Sequence, residues 1–205
     1  MDIKKGLPQD FSGLPEEAKK ELVDKIGLTA RENERIYHGC ARSVLNAIQS
    51  HLDLDSHAIS TLVKAAVPLG GGVARTGEAC GALLGGLMAI GLFFDSGRME
   101  DARNSPSYQE AVRRAMIFSD RFKAEIGALR CQDVHKVLFG RSYDLRKVED
   151  REDFHKSDSL RCEEVVEKAA RLASEVILDV QPQTETEKDR DSHGEVYEKI
   201  IGQAG

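Results

Sequence analysis

Apolar residues recur at steps of three and four positions along most of this chain, and this periodicity most constrains the fold. Such spacing places apolar side chains on one face of an α-helix. The clearest stripe lies in the segment that begins at Leu160 and comprises Cys162, Val165, Val166, Ala169, Leu172, Ala173, Val176 and Ile177. No hairpin turn joins runs of alternating polar and apolar residues. The sequence therefore predicts an all-α, single-domain bundle of about five to seven helices.

Helix-start signals and breaks divide this pattern into segments. Helices are predicted over residues 15–25, from Thr29, from Ser56 to the Pro68 region, over 77–88, over 107–129 and over 160–180. Thr29 and Glu32 have the spacing of a capping box, and Cys40 would lie on the buried stripe of that helix with Ile36, Tyr37, Val44, Leu45 and Ile48. The charged stretch 140–159 is predicted to be a surface loop. We expect residues 1–180 to form the domain and 181–205 to be a polar linker with a short tail helix.

Charge and hydropathy exclude several classes of function. The formal net charge is −6, and Lys and Arg do not cluster, which argues against a nucleic-acid surface or a polybasic membrane patch. The longest apolar run, residues 82–94, is shorter than a membrane span and contains three glycines. The polar first ten residues lack the apolar core of a secretory signal. We therefore expect a cytoplasmic protein with no membrane insertion.

The four cysteines, Cys40, Cys80, Cys131 and Cys162, are the residues most able to carry chemistry. None forms a CxxC pair, so the close ligand pair typical of structural zinc sites and the thioredoxin motif are both missing. No CxxCH motif for covalent haem is present. Spacing alone leaves two interpretations open: four unrelated buried thiols, or four thiols that converge on one site.

A glycine-rich segment beginning at Cys80 favours convergence. Glycine inside a helix costs roughly 0.5–1 kcal/mol relative to alanine, so some interaction must offset Gly81 and Gly85. The candidates are the close approach of a neighbouring helix and the presence of a bound group. Cys80 begins this helix, where the helix dipole favours a thiolate.

The segment Cys80-Gly81-Ala82-Leu83-Leu84-Gly85 reads CGAxxG and lies between one upstream and two downstream cysteines. In this order the chain resembles the redox-active family named for its C-GCAxxG-C-C signature, over about residues 36–178. That family is similar to the non-haem part of split-Soret cytochromes, which carry an iron–sulfur centre. The resemblance implies that Cys40, Cys80, Cys131 and Cys162 ligate one cluster, of the [2Fe–2S] type, beside Gly81 and Gly85, with no covalent haem.

Three other side chains lie near cysteines in sequence. His135 follows Cys131 by four positions and would share its helix face, as a substitute ligand or a proton donor. His38 is expected at the surface or an interface, on a different side from Cys40. Arg75 could lower a thiol pKa, hydrogen-bond a cluster sulfide or simply form a surface ion pair.

Three functions remain open from the sequence. The first is an iron–sulfur protein for electron transfer or redox sensing, with an unknown partner protein. The second is a metal-free thiol–disulfide oxidoreductase or sensor in which Cys80 is the attacking thiolate and another cysteine resolves the intermediate that Cys80 forms. The third is a helical interaction protein with inert cysteines. The small-residue helix faces are compatible with a homodimer, although no interface is specified.

Overall fold

The computed structural model describes residue 11 and residues 13–52, 56–99, 104–157 and 160–180. These residues form eight α-helices: α1 (Glu16–Tyr37), α2 (Cys40–His51), α3 (Ser56–Ala66), α4 (Gly81–Phe94), α5 (Pro106–Ile126), α6 (Cys131–Phe139), α7 (Val148–Lys156) and α8 (Leu160–Leu178). The predicted all-α class is confirmed, although eight helices replace the five to seven expected. The predicted linker and tail helix lie outside the described residues.

The first helix is longer than its sequence signals indicate. We predicted a helix start at Thr29, but Thr29 lies inside α1 and its hydroxyl hydrogen-bonds to the His51 ring at 2.8 Å. The gap predicted between residue 25 and Thr29 does not occur, because Gly27 is buried and the side chain of Arg171 from α8 lies directly over it. The tertiary contact therefore overrides the weak local preference of glycine.

The chain breaks instead at His38 and Gly39, which have φ angles of +55° and +103°. These left-handed residues end α1 and allow α2 to begin at Cys40. The predicted buried stripe is consequently split: Ile36 and Tyr37 are 52% and 64% exposed, whereas Val44, Leu45 and Ile48 are fully buried. Cys40 thus lies at a helix start and not in the middle of a helix.

The charged stretch 140–159 contains α7, so our prediction of a continuous surface loop was wrong. Two acidic residues occupy its first turn and two basic residues its last turn, which complements the helix dipole. None of its residues is buried. Without an apolar stripe, α7 carried no periodic signal in the sequence.

Helix α8 is the centre of the packing, because it contacts α1, α2, α4 and α5. Its predicted apolar stripe is confirmed at the buried residues Val165, Val166, Ala169, Ala173, Val176 and Ile177. Helix α5 contributes Phe118, Phe122 and Ile126 to the same core.

No helix of the described residues is both long and apolar enough to cross a membrane.

Two glycines bring α4 against α2. A Cβ atom at Gly85 would collide with the carbonyl oxygen of Ala41, and one at Gly81 would collide with the Cys40 sulfur. Both positions therefore permit backbone contact that any side chain would block. The predicted close approach of a neighbouring helix is confirmed, and it offsets the conformational cost of glycine within α4.

We expect Gly85→Ala to lower the free energy of unfolding by about 1–3 kcal/mol, because the new methyl group overpacks the α2–α4 contact. Gly91→Ala is the matched control in the same helix. A Cβ there meets no atom within 4 Å, so this change should raise stability by about 0.5–1 kcal/mol. Denaturant unfolding of both variants measures the difference. Equal effects at the two positions would contradict the packing we describe.

Candidate redox site

All four cysteines line one cavity of about 660 Å³. Each lies at the start of a helix: Cys40 and Cys131 are the first residues of α2 and α6, Cys80 is the residue that caps α4, and Cys162 lies in the first turn of α8. The positive ends of four helix dipoles therefore meet at the cavity. The structure favours convergence over the interpretation of four unrelated thiols.

Backbone pairing holds two of these helix starts together. Ala79 and Arg130 form an isolated antiparallel bridge. The Cys80 N–H donates to the Leu129 carbonyl at 2.8 Å, and the Cys131 N–H donates to the Glu78 carbonyl at 2.7 Å. Cys80 and Cys131 are thus fixed side by side by hydrogen bonds that depend on no side chain.

The loop between α3 and α4 forms one wall of the cavity. Five consecutive residues, Gly71 to Arg75, have left-handed backbone with φ between +52° and +76°. Such conformations are unfavourable for a β-branched residue, and Val73 is one of the five. Gly72 packs against Cys131 and Glu78 so tightly that any side chain would collide. Strained backbone conformations of this kind are common at binding sites.

Backbone N–H groups face two of the sulfurs. The Gly71 amide lowers the pKa of the Cys40 thiol, and the Ala82 and Leu83 amides at the start of α4 lower that of the Cys80 thiol. Amides in these positions stabilise the thiolate form and lower the pKa of both thiols. They also resemble the donors that tune sulfur ligands in metal centres.

Burial nevertheless dominates the titration of all four thiols. It raises the pKa of Cys40 and Cys162 well above the ordinary value, and nearby negative charges raise it further. It also raises the pKa of Cys80, and it raises that of Cys131 to about 12 with a smaller contribution from the Cys80 charge. The metal-free thiols are therefore protonated at neutral pH, and none of them is joined in a disulfide.

His135 lies beside Cys131 as its spacing predicts. Its Nε2 is 3.7 Å from the Cys131 sulfur, and its ring stacks on Phe154 with centroids 5.0 Å apart. Phe139 and Tyr143 contact the same ring edge-on. Nδ1 is buried with no hydrogen-bond partner among the described residues, and burial lowers the pKa of the ring. A neutral ring with its proton on Nε2 can donate to the sulfur.

Two carboxylates near the sulfurs gave no signal in the sequence. Glu34 and Glu163 both line the cavity. Burial raises the pKa of Glu34, although hydrogen bonds from the Ser43 hydroxyl and the Gly39 N–H oppose this. Glu163 is 7% exposed, and its Oε2 has no hydrogen-bond partner within the described part of the chain. In sequence both resemble ordinary solvated helix residues, so only the fold could reveal them.

His38 and Arg75, two further candidates, lie at the cavity mouth. His38 is exposed as predicted, but the break after α1 lets it line the same cavity as Cys40. Its ring centroid is 5.9 Å from that of His155. Arg75 also lines the mouth, and it forms no ion pair with any described residue.

Gly81 and Gly85 lie behind the cavity wall against α2, and their predicted part in binding a cofactor stays a prediction.

The arrangement does not close around a single ion. Among the described residues, no three His, Cys, Asp or Glu side chains are positioned to hold one metal ion. Thiolate sulfurs are soft ligands, which suit zinc, copper(I) and iron–sulfur clusters.

A family model described as "Putative redox-active protein (C_GCAxxG_C_C)" matches residues 38–176. The chain belongs to this family. The match includes all four cysteines and His135, and it supports a redox function in general terms. No curated protein and no solved structure matches the chain. The similarity to split-Soret cytochromes therefore stays a prediction.

The Cys131 thiol should make the stability of the metal-free protein depend on alkaline pH. Its pKa is raised from 9.0 to about 12 in the folded state, so the folded state retains the proton longer than the unfolded chain. This contribution is complete below pH 9 and is lost as the pH rises toward about 12. We expect Cys131→Ala to be less alkali-sensitive than the parent protein in denaturant unfolding. Parallel pH profiles for both proteins would contradict the shift.

Proposed function

We propose that this protein binds an iron–sulfur cluster of the [2Fe–2S] type through Cys40, Cys80, Cys131 and Cys162, for electron transfer or redox sensing. The observation that carries the proposal is the convergence of all four sulfurs on one cavity. The bound cluster would supply reversible one-electron chemistry. The cysteine thiols would hold it after losing their protons, and the backbone amides of Gly71, Ala82 and Leu83 would stabilise the resulting negative charge.

The raised thiol pKa values also bear on the metal-free alternative. A thiol–disulfide oxidoreductase needs a reactive thiolate near neutral pH, and such a cysteine is usually partly exposed with a lowered pKa. Cys80, the candidate nucleophile, is 5% exposed and its pKa is raised by burial. Metal coordination provides a different way to keep these sulfurs deprotonated, because the metal displaces the proton.

The test is the iron and acid-labile sulfide content of anaerobically purified full-length protein, together with its visible spectrum. We expect two irons and two sulfides per site, and we expect each single Cys→Ser variant to lose the visible band or alter it strongly. Val134→Ala is the control, since Val134 lines the cavity but its side chain has no atom that can ligate a metal. A protein that stays free of iron and sulfide after reconstitution would overturn the proposal and leave the thiol–disulfide reaction as the next hypothesis.

We further propose that His135 donates a hydrogen bond from Nε2 to the Cys131 sulfur and so tunes the reduction potential. Hydrogen bonds to cluster sulfurs favour the reduced, more negative state. His135→Phe retains a ring for the Phe154 stack and removes the donor. We expect this variant to load iron and sulfide normally but to have a more negative midpoint potential. An unchanged potential would exclude the hydrogen bond, and failure to load would indicate a ligand role for His135.

A further inference from the structure

The cavity is larger than the proposed cluster requires. Its volume of about 660 Å³ lies within the range of roughly 300–1,000 Å³ that is typical of small-molecule sites. A [2Fe–2S] cluster adds only four atoms next to the sulfurs. The outer part of the cavity therefore has room for a second, organic molecule.

Three guanidinium groups line this outer part, on Arg42, Arg75 and Arg151. Arg42 donates to the carbonyl oxygens of His38 and Tyr37, and Arg151 makes one long contact to the Leu145 carbonyl at 3.4 Å. Arg75 is exposed and has no acceptor among the described residues. Each guanidinium offers five N–H donors, so most donors of Arg75 and Arg151 remain available.

Two carboxylates lie near the sulfurs, and Arg42 interacts electrostatically with one of them, Glu34. Glu34 interacts electrostatically with Cys40, Cys80 and Cys162, and Glu163 interacts with Cys162. Arg42 is therefore balanced by a carboxylate, whereas no ion pair among the described residues involves Arg75 or Arg151. A ligand with one negative end would place that end among the arginines.

We propose that Arg75 and Arg151 form a subsite for the carboxylate or phosphate group of a small organic anion. A planar guanidinium matches both oxyanions with paired hydrogen bonds, which favours an oxyanion over a halide. The other end of the bound molecule then points toward the cysteines. Anion binding is independent of the metal, whereas the exchange of electrons between this ligand and the site rests on the proposed function.

The probe is iodoacetate, compared with iodoacetamide, on the reduced metal-free full-length protein. In both reactions the Cys40 thiol gives its proton to the solvent, the sulfur forms a bond to carbon and iodide leaves, but iodoacetate alone carries a carboxylate. We expect the alkylation rate of Cys40 to saturate with iodoacetate and to rise linearly with iodoacetamide. Inorganic phosphate and acetate should each slow the iodoacetate reaction only, and the stronger competitor identifies the preferred oxyanion.

Arg75→Asn removes the charge at a left-handed position that Asn tolerates. It should abolish saturation and reduce the iodoacetate-to-iodoacetamide rate ratio several-fold. Arg98→Asn is the matched control, because Arg98 is exposed and does not line the cavity. Arg151→Gln is the second variant if Arg75→Asn alters the circular dichroism spectrum.

The outcomes separate this subsite from the proposed cluster. Linear kinetics with both reagents in the parent protein would overturn the anion subsite, whatever its iron content. Saturation in a protein that never binds iron and sulfide would support the subsite and reject the cluster. If the arginines only balance the charge of the cysteine centre, Arg75→Asn will change the midpoint potential while the parent protein shows no saturation.

Discussion

The contact between α2 and α4 is the packing on which the cavity depends. Gly85 lies against the backbone of Ala41, and Gly81 lies against the Cys40 sulfur. With side chains at these positions the two helices would move apart, and the sulfurs of Cys40 and Cys80 would separate with them. The glycines of the CGAxxG segment are therefore explained by helix packing before any cofactor is considered. Their effect on the site is indirect, through the distance between two helix starts.

The left-handed loop carries a conformational free-energy cost that the contact between α2 and α4 does not explain. Val73, Ala74 and Arg75 each adopt a conformation that is about 1–2 kcal/mol unfavourable for an L-residue. Backbone hydrogen bonds offset part of this, including those from Gly77 N–H to the Gly71 carbonyl and from Glu78 N–H to the Gly72 carbonyl, both 3.1 Å. The same turn directs the Gly71 amide to the Cys40 sulfur and carries Arg75 to the mouth. The strained segment thus contacts both ends of the cavity.

The sequence predicted the elements that have strong apolar periodicity or that are bounded by helix-breaking residues. The α8 stripe and the end of α3 near Pro68 follow from local patterns, whereas the helix predicted over 77–88 begins at Gly81 and extends to Phe94. The four cysteines could be named as one site only through their order and a family resemblance. Local rules could not foresee that Gly27 would continue a helix under Arg171, because that depends on a residue far away in sequence.

The acidic part of the site was missed for the same physical reason. Glu34 and Glu163 occupy helix positions where a carboxylate is normally solvated, and burial appears only when α1, α2 and α8 pack together. His135 was found because its spacing from Cys131 is a local helical relation. The residues of the site that sequence reasoning identified are thus those related by short spacing or by cysteine chemistry, and the others required the fold.

The charge of the sulfurs depends on what they bind, whereas the charge of the arginines does not. With all four thiols protonated, the cavity contains neutral sulfurs near the two carboxylates. Loading the proposed cluster would release thiol protons and make the inner end more negative. That change strengthens the attraction between the inner end and the guanidinium groups of Arg75 and Arg151, so it competes with an anion for the same donors. The affinity of the outer subsite should therefore report on the state of the cysteines, which couples ligand binding to redox chemistry within a single cavity.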